Sequence, residues 1–353
     1  MIWLCAAVAG AADWPRFRGP NGSGVGEGAG YPASLERGTE VWRTPVPAGQ
    51  SSPVIAAGRL YLTASDGDRL LTLAFDPANG KELWRAELVR TRKQKGYAVN
   101  GSASPTPVAD ELGVYAFFED FGLIAYDRDG KERWRAPLGP FKNFYGMASS
   151  PILVGEALVQ LCDQQTGSYL LALDRETGRV KWKRERPGAP IGWATPMVFQ
   201  PTGGPAQMIV IGSNRLDGYY AETGEPIWWM PVGSGGALGT PSGTADMVLL
   251  STAGSSEPLL STFESALEEY DANKDENLSR EELAKVWLGE HFGWLDADES
   301  GLVSAAEWNY AKSMEAAEYG AIALRAGELH GEAGPEAAVW RYQKSLPYVP
   351  APL

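Results

Sequence analysis

The chain has 353 residues, 44% of them hydrophobic and 21% charged, which is enough apolar material for one large folded domain or two ordinary ones and excludes a disordered or fibrous protein. The net charge of −13 is concentrated: residues 256–320 hold 16 Asp and Glu against 4 Lys and Arg, leaving 28 acids and 27 bases in the rest. No basic face remains to neutralise phosphates, so a nucleic-acid partner is not expected. The one tight basic cluster, Arg90, Arg92, Lys93 and Lys95, reads as a solvated loop.

In chain order, Ile2 to Ala12 has the length and Ala-rich end of a signal-peptide core, with Ala9-Gly10-Ala11 as a small-residue cleavage site. Residues 1–12 are therefore expected to export the protein to the periplasm or another extracytoplasmic space. The charged n-region is missing, so either the start lies inside a longer signal or this is a buried N-terminal strand. Eleven apolar residues are too few to cross a bilayer. Gly22-Ser23-Gly24-Val25-Gly26 has no preceding strand, no following helix and no closing Lys-Ser/Thr, and is expected to be a flexible lead-in rather than a phosphate loop.

Tryptophan sets a period. Trp42, Trp84, Trp134, Trp182 and Trp228 fall 42, 50, 48 and 46 residues apart. Each of three units reads Ala-x-Asp, a glycine turn, then Trp: Ala74-Phe75-Asp76 with Gly80, Ala125-Tyr126-Asp127 with Gly130, and Ala172-Leu173-Asp174 with Thr177-Gly178. The fourth keeps Thr223-Gly224 before Trp228. A small residue precedes proline upstream of each unit, at Ser52-Pro53, Ser104-Pro105, Ser150-Pro151, Thr195-Pro196 and Thr240-Pro241. Between these marks, short apolar runs such as Leu60 to Ala64, Gly113 to Phe118 and Leu158 to Cys162 predict strands. A period in the forties with about four short strands per unit is that of an all-β propeller, whose blades bury their faces against both neighbours. The tryptophans are expected to pack between blades.

The Ala-x-Asp-x-x-Thr-Gly-x-x-x-Trp unit resembles the PQQ-type repeat of quinoprotein alcohol dehydrogenases and of the outer-membrane assembly scaffold that lacks the cofactor. The opening Asp13-Trp14-Pro15-Arg16-Phe17-Arg18-Gly19-Pro20-Asn21-Gly22 is similar to that of exported PQQ-binding-like β-propeller proteins. The resemblance implies four-stranded blades at about 51–90, 101–138, 148–186, 193–232 and 238–345, with a strand near Gly38 to Val46 completing the last blade. About five blades are present where the family has seven or eight, so the chain is expected to be part of a longer ring. The expected organisation is a leader over 1–12, blades over 13–255, an insert over 256–320 and the remainder of the fifth blade over 321–353.

Within the insert the periodicity becomes helical. Pro258 to Tyr270 carries Leu259, Leu260, Phe263, Leu267 and Tyr270 on one face. A twelve-residue loop follows with oxygen donors at the positions a hard cation needs: Asp271, Asn273, Asp275, the Asn277 carbonyl and Glu282. A second loop begins 25 residues later with Asp296, Asp298, Ser300, the Leu302 carbonyl and Glu307, and a helix is expected after each. Both resemble an EF-hand pair, expected to bind one or two Ca2+ with affinity on the order of micromolar to millimolar. Gly301 supplies the sharp turn of the second loop; Glu276 stands there in the first, where a left-handed backbone costs about 1 kcal/mol.

No catalytic arrangement is legible. Cys162 has no partner, and His291 and His330 sit in no base-and-nucleophile pattern. The resemblance implies, for the dehydrogenases, PQQ on the propeller axis with calcium and a catalytic Asp. Their adjacent cysteine pair is missing here, and the calcium ligands lie in the insert; Asp120, Asp163 and Asn214 are the polar strand-end candidates. PQQ is accordingly not expected. The preferred reading is an exported, non-catalytic binding or scaffold propeller with a calcium-binding insert and a protein or polysaccharide partner; the alternative is a PQQ-dependent quinoprotein dehydrogenase.

Overall fold

Short apolar strands joined by glycine turns fold into successive antiparallel meanders, seen in a computed structural model that describes residues 13–26, 40–93, 100–143, 145–189, 191–233, 238–252, 259–313, 319–344 and 351–352. The expected leader, Gly38, Lys95 and Pro258 lie outside the described residues. The first sheet comprises β1 (Val54–Ala56), β2 (Arg59–Asp66), β3 (Arg69–Phe75) and β4 (Glu82–Val89); the second β5 (Val108–Asp110), β6 (Gly113–Phe118), β7 (Gly122–Tyr126) and β8 (Glu132–Pro137). The third comprises β9 (Ile152–Val154), β10 (Ala157–Cys162), β11 (Tyr169–Asp174) and β12 (Val180–Glu185); the fourth β13 (Met197–Phe199), β14 (Gln207–Ile211), β15 (Arg215–Tyr220) and β16 (Pro226–Pro231). The fifth starts with β17 (Ser242–Gly243) and β18 (Val248–Thr252) and is completed after the helical insert.

The core lies between consecutive sheets. Middle strands such as β6 and β10 are buried along their whole length, whereas the fourth strands β8 and β12 alternate with solvent. Tyr61, Leu70 and Ala74 of the first sheet share one cluster with Val114, Phe118 and Ile124 of the second. Phe117 and Leu123 continue to Leu158 and Leu171, Val159 and Leu170 to Met208 and Val210, and Ile209 and Leu216 to Val248 and Ile322. Burial of this kind stabilises by roughly 25 cal/mol per Å2 of apolar surface.

The periodic tryptophans are the joints. Trp42, Trp84, Trp134 and Trp182 donate Nε1–H to the carbonyls of Pro77, Arg128, Arg175 and Glu222, each in the next turn along the chain, at 2.8–3.0 Å. Their rings lie on Gly80, Gly130, Gly178 and Gly224, where an added Cβ would stand 2.4–2.7 Å from ring carbons and φ is +68° to +84°. Close approach and left-handed backbone both demand glycine there. The expectation that the tryptophans pack between neighbouring units holds for these four. Trp228 lies in the apolar cluster of the fourth and fifth sheets but docks differently, with its ring on Gly218 of its own sheet and a hydrogen bond to Gln207 Oε1 at 2.9 Å.

The small-residue–proline marks also have a structural role. The amides of Ser52, Thr106, Ser150 and Thr195 donate to the hydroxyls of Thr106, Ser150, Thr195 and Thr240, so each unit is hydrogen-bonded to the next just before its first strand. The second mark is therefore Thr106-Pro107, two residues beyond the expected Ser104-Pro105; both dipeptides fit the pattern, and the start of β5 at Val108 decides between them.

Residues 40–47 form no strand, contrary to the expectation for 38–46, because no described sheet edge lies beside them; only Ala48 bridges to Ser65. Gly22 to Gly26, expected as a flexible lead-in, follows a segment tied to the sheets and closes back on it through the Gly22 and Gly24 amides. Trp14 bridges to Ile55, Pro15 accepts from the Ala109 amide, Asn21 exchanges two hydrogen bonds with Val198, and Gly24 N–H closes onto Arg18 O at 2.8 Å. In the basic cluster Arg90 and Arg92 are not free in solvent, since Arg90 pairs with Asp120 at 2.9 Å and Arg92 donates to the Glu119 carbonyl at 2.6 Å, whereas Lys93 is exposed as expected.

The insert contains α1 (Phe263–Tyr270), β19 (Leu278–Ser279), α2 (Arg280–Leu283), α3 (Trp287–Glu290), α4 (Phe292–Leu295), β20 (Leu302–Val303) and α5 (Ala305–Ser313). α1 begins later than Pro258 because Thr262 caps it through the Ser265 amide, and Leu259, expected on the apolar face, is 67% exposed. The helix expected after Glu282 is broken into three pieces. Gly289 folds so closely on α2 that a Cβ would stand 2.5 Å from Leu283 O. Leu260, Phe263, Leu283, Leu295 and Trp308 form a separate small core.

The chain then returns as β21 (Gly320–Leu324), β22 (Gly331–Glu332) and β23 (Ala338–Tyr342). β21 and β23 complete the fifth sheet in the order β17-β18-β21-β23, while β22 crosses to the fourth sheet and pairs parallel with β16. Trp340 repeats the register of the other tryptophans, opposite Ala323 with a bulge beside it, and is 45% exposed. No described helix is long and apolar enough to cross a membrane.

Candidate metal centre

The insert occupies the turn between the second and third strands of the fifth sheet, where β18 and β21 pair from Val248↔Leu324 to Thr252↔Gly320. In the other sheets the same turn carries the polar strand-end candidates. Asp120 accepts from Arg90; Asp163 accepts from Arg186 at 2.8 and 3.2 Å; Asn214 O accepts from Val232 N at 3.0 Å. Asp120 and Asp163 are each held by a different arginine, and Arg186 also binds Asp217 at 3.0 Å and Tyr219 at 2.6 Å. Burial pushes Asp163 up to about 6 despite Arg186, and pushes Glu119 up to about 7 despite the Met147 amide that it accepts.

The two acidic loops are each folded around their own carboxylates. In the first, Asp271 accepts from the amides of Lys274, Asp275 and Glu276, Asn273 Oδ1 from Asp275, and Asp275 Oδ1 from Asn277. Glu282 closes the loop by accepting from Ala272 and Asn273 on one oxygen and from Ser279 on the other. In the second, Asp296 accepts from Ser300 and Gly301, Asp298 from Ser300, and Glu307 from Ala297, Asp298 and Ser304. Ser300 Oγ donates to the Leu302 carbonyl at 3.0 Å. The loops are joined by β19 and β20, with Leu278↔Val303 and Ser279↔Leu302 as partners.

The loops differ in two respects. Lys274 and Glu299 both take left-handed φ, +60° and +61°, at the fourth position of their loops, and the first loop adds a second such residue, Glu276 at φ +62° where Gly301 takes +88°. The carboxylate oxygens of Asp296, Asp298 and Glu307 come within 4.8 Å of one another, the single such group among the described residues. Hydrogen bonds from Ser279 hold Glu282 below the usual carboxylate range, and those from Ser300 do the same for Asp298. Both are thus ionised at neutral pH.

The helices that flank the second loop also approach the sheets. Gln165 of the third sheet donates to Gly293 O in α4 at 3.3 Å, and Tyr310 of α5 walls a cleft of about 440 Å3 whose other side is residues 165–168 and 185–189. Sequence reading did not find this contact, since nothing in either segment marks it. His291 Nδ1 lies 2.9 Å from Trp287 O, His330 is exposed, and Cys162 is buried within β10, which pushes its thiol up to about 12.

Four-stranded sheets that bury apolar faces against successive neighbours and are joined by tryptophan on glycine define a repeat β-propeller protein. The family model described as outer membrane protein assembly factor BamB, a PQQ-type repeat family, matches residues 25–200 and 167–266, and the chain belongs to that family. The tetrathionate hydrolase of Acidithiobacillus ferrooxidans is 24% identical over 275 residues, covering 66% of this chain and 51% of that protein. The chain thus spans about half the length of the curated relative it matches. BamB from Moraxella catarrhalis is similar with a TM-score of 0.42 at 16% identity, covering 60% of this chain and 58% of that one. A quinohemoprotein alcohol dehydrogenase from Comamonas testosteroni gives 0.42 at 16% identity, over 63% and 42%.

Proposed function

We propose that the chain is a non-catalytic propeller scaffold of the extracytoplasmic space whose fifth sheet carries a calcium-binding EF-hand pair. The observation that carries the calcium reading is the pairing of two loops in which backbone amides hold carboxylates in place and, in the second, bring three of them together. The donor set suits calcium: oxygen only, carboxylate-rich, with Glu282 and Glu307 at the position of the bidentate ligand. Asp271, Asn273, Asp275, the Asn277 carbonyl and Glu282 would hold one ion, and Asp296, Asp298, Ser300, the Leu302 carbonyl and Glu307 the other. Calcium binding to the folded form adds stability by mass action, which suits a space where calcium is abundant.

The scaffold reading is supported by the family and by the strand-end acids, each of which is already committed to an arginine. The partner is a protein or polysaccharide met by the propeller surface. Calorimetry of the full chain with calcium tests the metal reading: two sites are expected, Glu282→Gln removes one, Glu307→Gln the other, and a flat wild-type titration refutes it. Incubation with PQQ tests the scaffold reading, since a retained quinone absorbance would favour the dehydrogenase alternative.

A further inference from the structure

The first and last carboxylates of the second loop sit on the two helices that reach the third sheet. Asp296 directly follows α4, and Glu307 lies in the first turn of α5. Gly293 of α4 accepts from Gln165 Nε2 at 3.3 Å. Tyr310, one turn beyond Glu307, walls the cleft of about 440 Å3 whose other side is the turn between β10 and β11 and the segment after β12. Burial raises the Tyr310 hydroxyl and the Asp163 charge adds to the rise, so the two are within electrostatic reach. A further link is one of charge: hydrogen bonds from Ser300 lead in holding Asp298 low, and the Lys142 ammonium adds to them. Lys142 is itself tied to the third sheet, its amide donating to Gln164 Oε1 at 3.0 Å and its carbonyl accepting the Gln165 amide at 2.7 Å.

The ion and the contact call for the same geometry. Calcium–oxygen distances of about 2.3–2.6 Å place ligand oxygens no more than about 5 Å apart. The Asp296, Asp298 and Glu307 oxygens already lie within 4.8 Å of one another. α4 and α5 therefore stand where a loaded loop would hold them while Gly293 and Tyr310 meet the third sheet. Without an ion, three carboxylates this close repel. Relieving that repulsion parts α4 from α5, and whichever helix moves gives up its contact with the sheet. The first loop is placed differently: it lies between α1 and α2, whose hydrogen bonds among the described residues stay within the insert.

We propose that calcium in the second loop, and not in the first, fastens the insert to the third sheet, so that the cleft under Tyr310 is closed in the calcium-loaded chain and opens when the ion leaves. The inference rests on the calcium reading above. Arg186 lines the cleft while holding Asp163 and Asp217, so opening admits water to the buried ion pairs of the sheets. The coupling is confined to this end of the third sheet, because Trp134 docks at the other end, on Gly178 between β11 and β12.

Hydrogen exchange read by mass spectrometry on the full chain, in calcium and in EGTA, measures the contact, and calorimetry on the same sample measures the ion. Amides of residues 163–168 and 185–189 should exchange at least about fivefold more slowly with calcium, the size of an ordinary coupling between two sites. Glu307→Gln should lose that protection and Glu282→Gln should keep it. Coupling is reciprocal, so Tyr310→Ala should weaken calcium at the second loop at least about fivefold and leave the first loop unchanged. If Tyr310→Ala fails to fold, Gln165→Ala tests the same contact from the sheet side, with a change in the same direction. Calcium bound at the second loop with unchanged exchange in both segments overturns the fastening and leaves the calcium reading standing; no calcium bound at all overturns both. Protection that survives Glu307→Gln, or is lost in Glu282→Gln, overturns the assignment to the second loop.

Discussion

Two buried acids of the sheets and two exposed acids of the insert are pushed in opposite directions. Glu119, 3% exposed, and Asp163, fully buried, are driven up by loss of solvent. Glu282 and Asp298 are drawn down by hydrogen bonds from Ser279 and Ser300 while remaining in water. Asp163 is answered by Arg186, and Glu119 by the Met147 amide. In the insert, acids are gathered and held by amide and serine donors, with no salt bridge among the described residues, and the proposed calcium would supply the counter-charge.

The comparison is broken most forcefully at a joint of the sheets. Trp134→Ala should destabilise the propeller by about 3–5 kcal/mol in urea unfolding while leaving calcium binding unchanged; altered calcium affinity would show that the two regions are not separable. Gly178→Ala forces a left-handed non-glycine residue and a methyl into the Trp134 ring, and should cost about 2–4 kcal/mol.

Acidity sharpens the contrast in sign. Because the Glu119 carboxyl titrates higher in the folded chain than in the unfolded one, its penalty grows as pH rises from the ordinary carboxylate range to about 7 and is constant above that. Glu119→Gln should therefore add on the order of 1–3 kcal/mol at pH 8 and little at pH 4, a difference that denaturant titrations at the two pH values would reveal or exclude. Glu282 and Asp298 behave oppositely: calcium should be retained until pH falls below the ordinary carboxylate range, and a midpoint near neutrality would contradict the lowered pKa values. Least in size, Glu276→Gly relieves about 1 kcal/mol of left-handed strain, which should tighten calcium at the first loop about fivefold in calorimetry.

Much of this was legible in the chain. The tryptophan period located the sheets because an aromatic ring docked on glycine needs both residues at fixed places, and sequence preserves both. The twelve-residue loops were legible for a similar reason, since donor positions are local. What was not legible depends on distant partners. Thr106-Pro107 and Ser104-Pro105 differ only in which one meets Ser52 across the joint. The Arg90 and Arg92 side chains look like a solvated cluster until Asp120 and Glu119 fold beside them. Nothing in residues 280–295 warns that the helix will break at Val286 and His291.

One consequence follows from β22. The outer strands of the first three sheets end their sheets with charge: Glu82, Arg85 and Glu87 on β4, Glu132, Arg133 and Arg135 on β8, and Lys181, Lys183 and Glu185 on β12. β16, Pro-Ile-Trp-Trp-Met-Pro, has none. An uncharged edge with open amides is an invitation to pair with another chain, and charged side chains are the usual deterrent. The fourth sheet lacks the deterrent and receives a lid instead, two residues of the fifth sheet's own chain laid along Trp228 and Trp229. Loss of that short strand would leave the joints intact and still bare an uncharged edge for another chain to pair with.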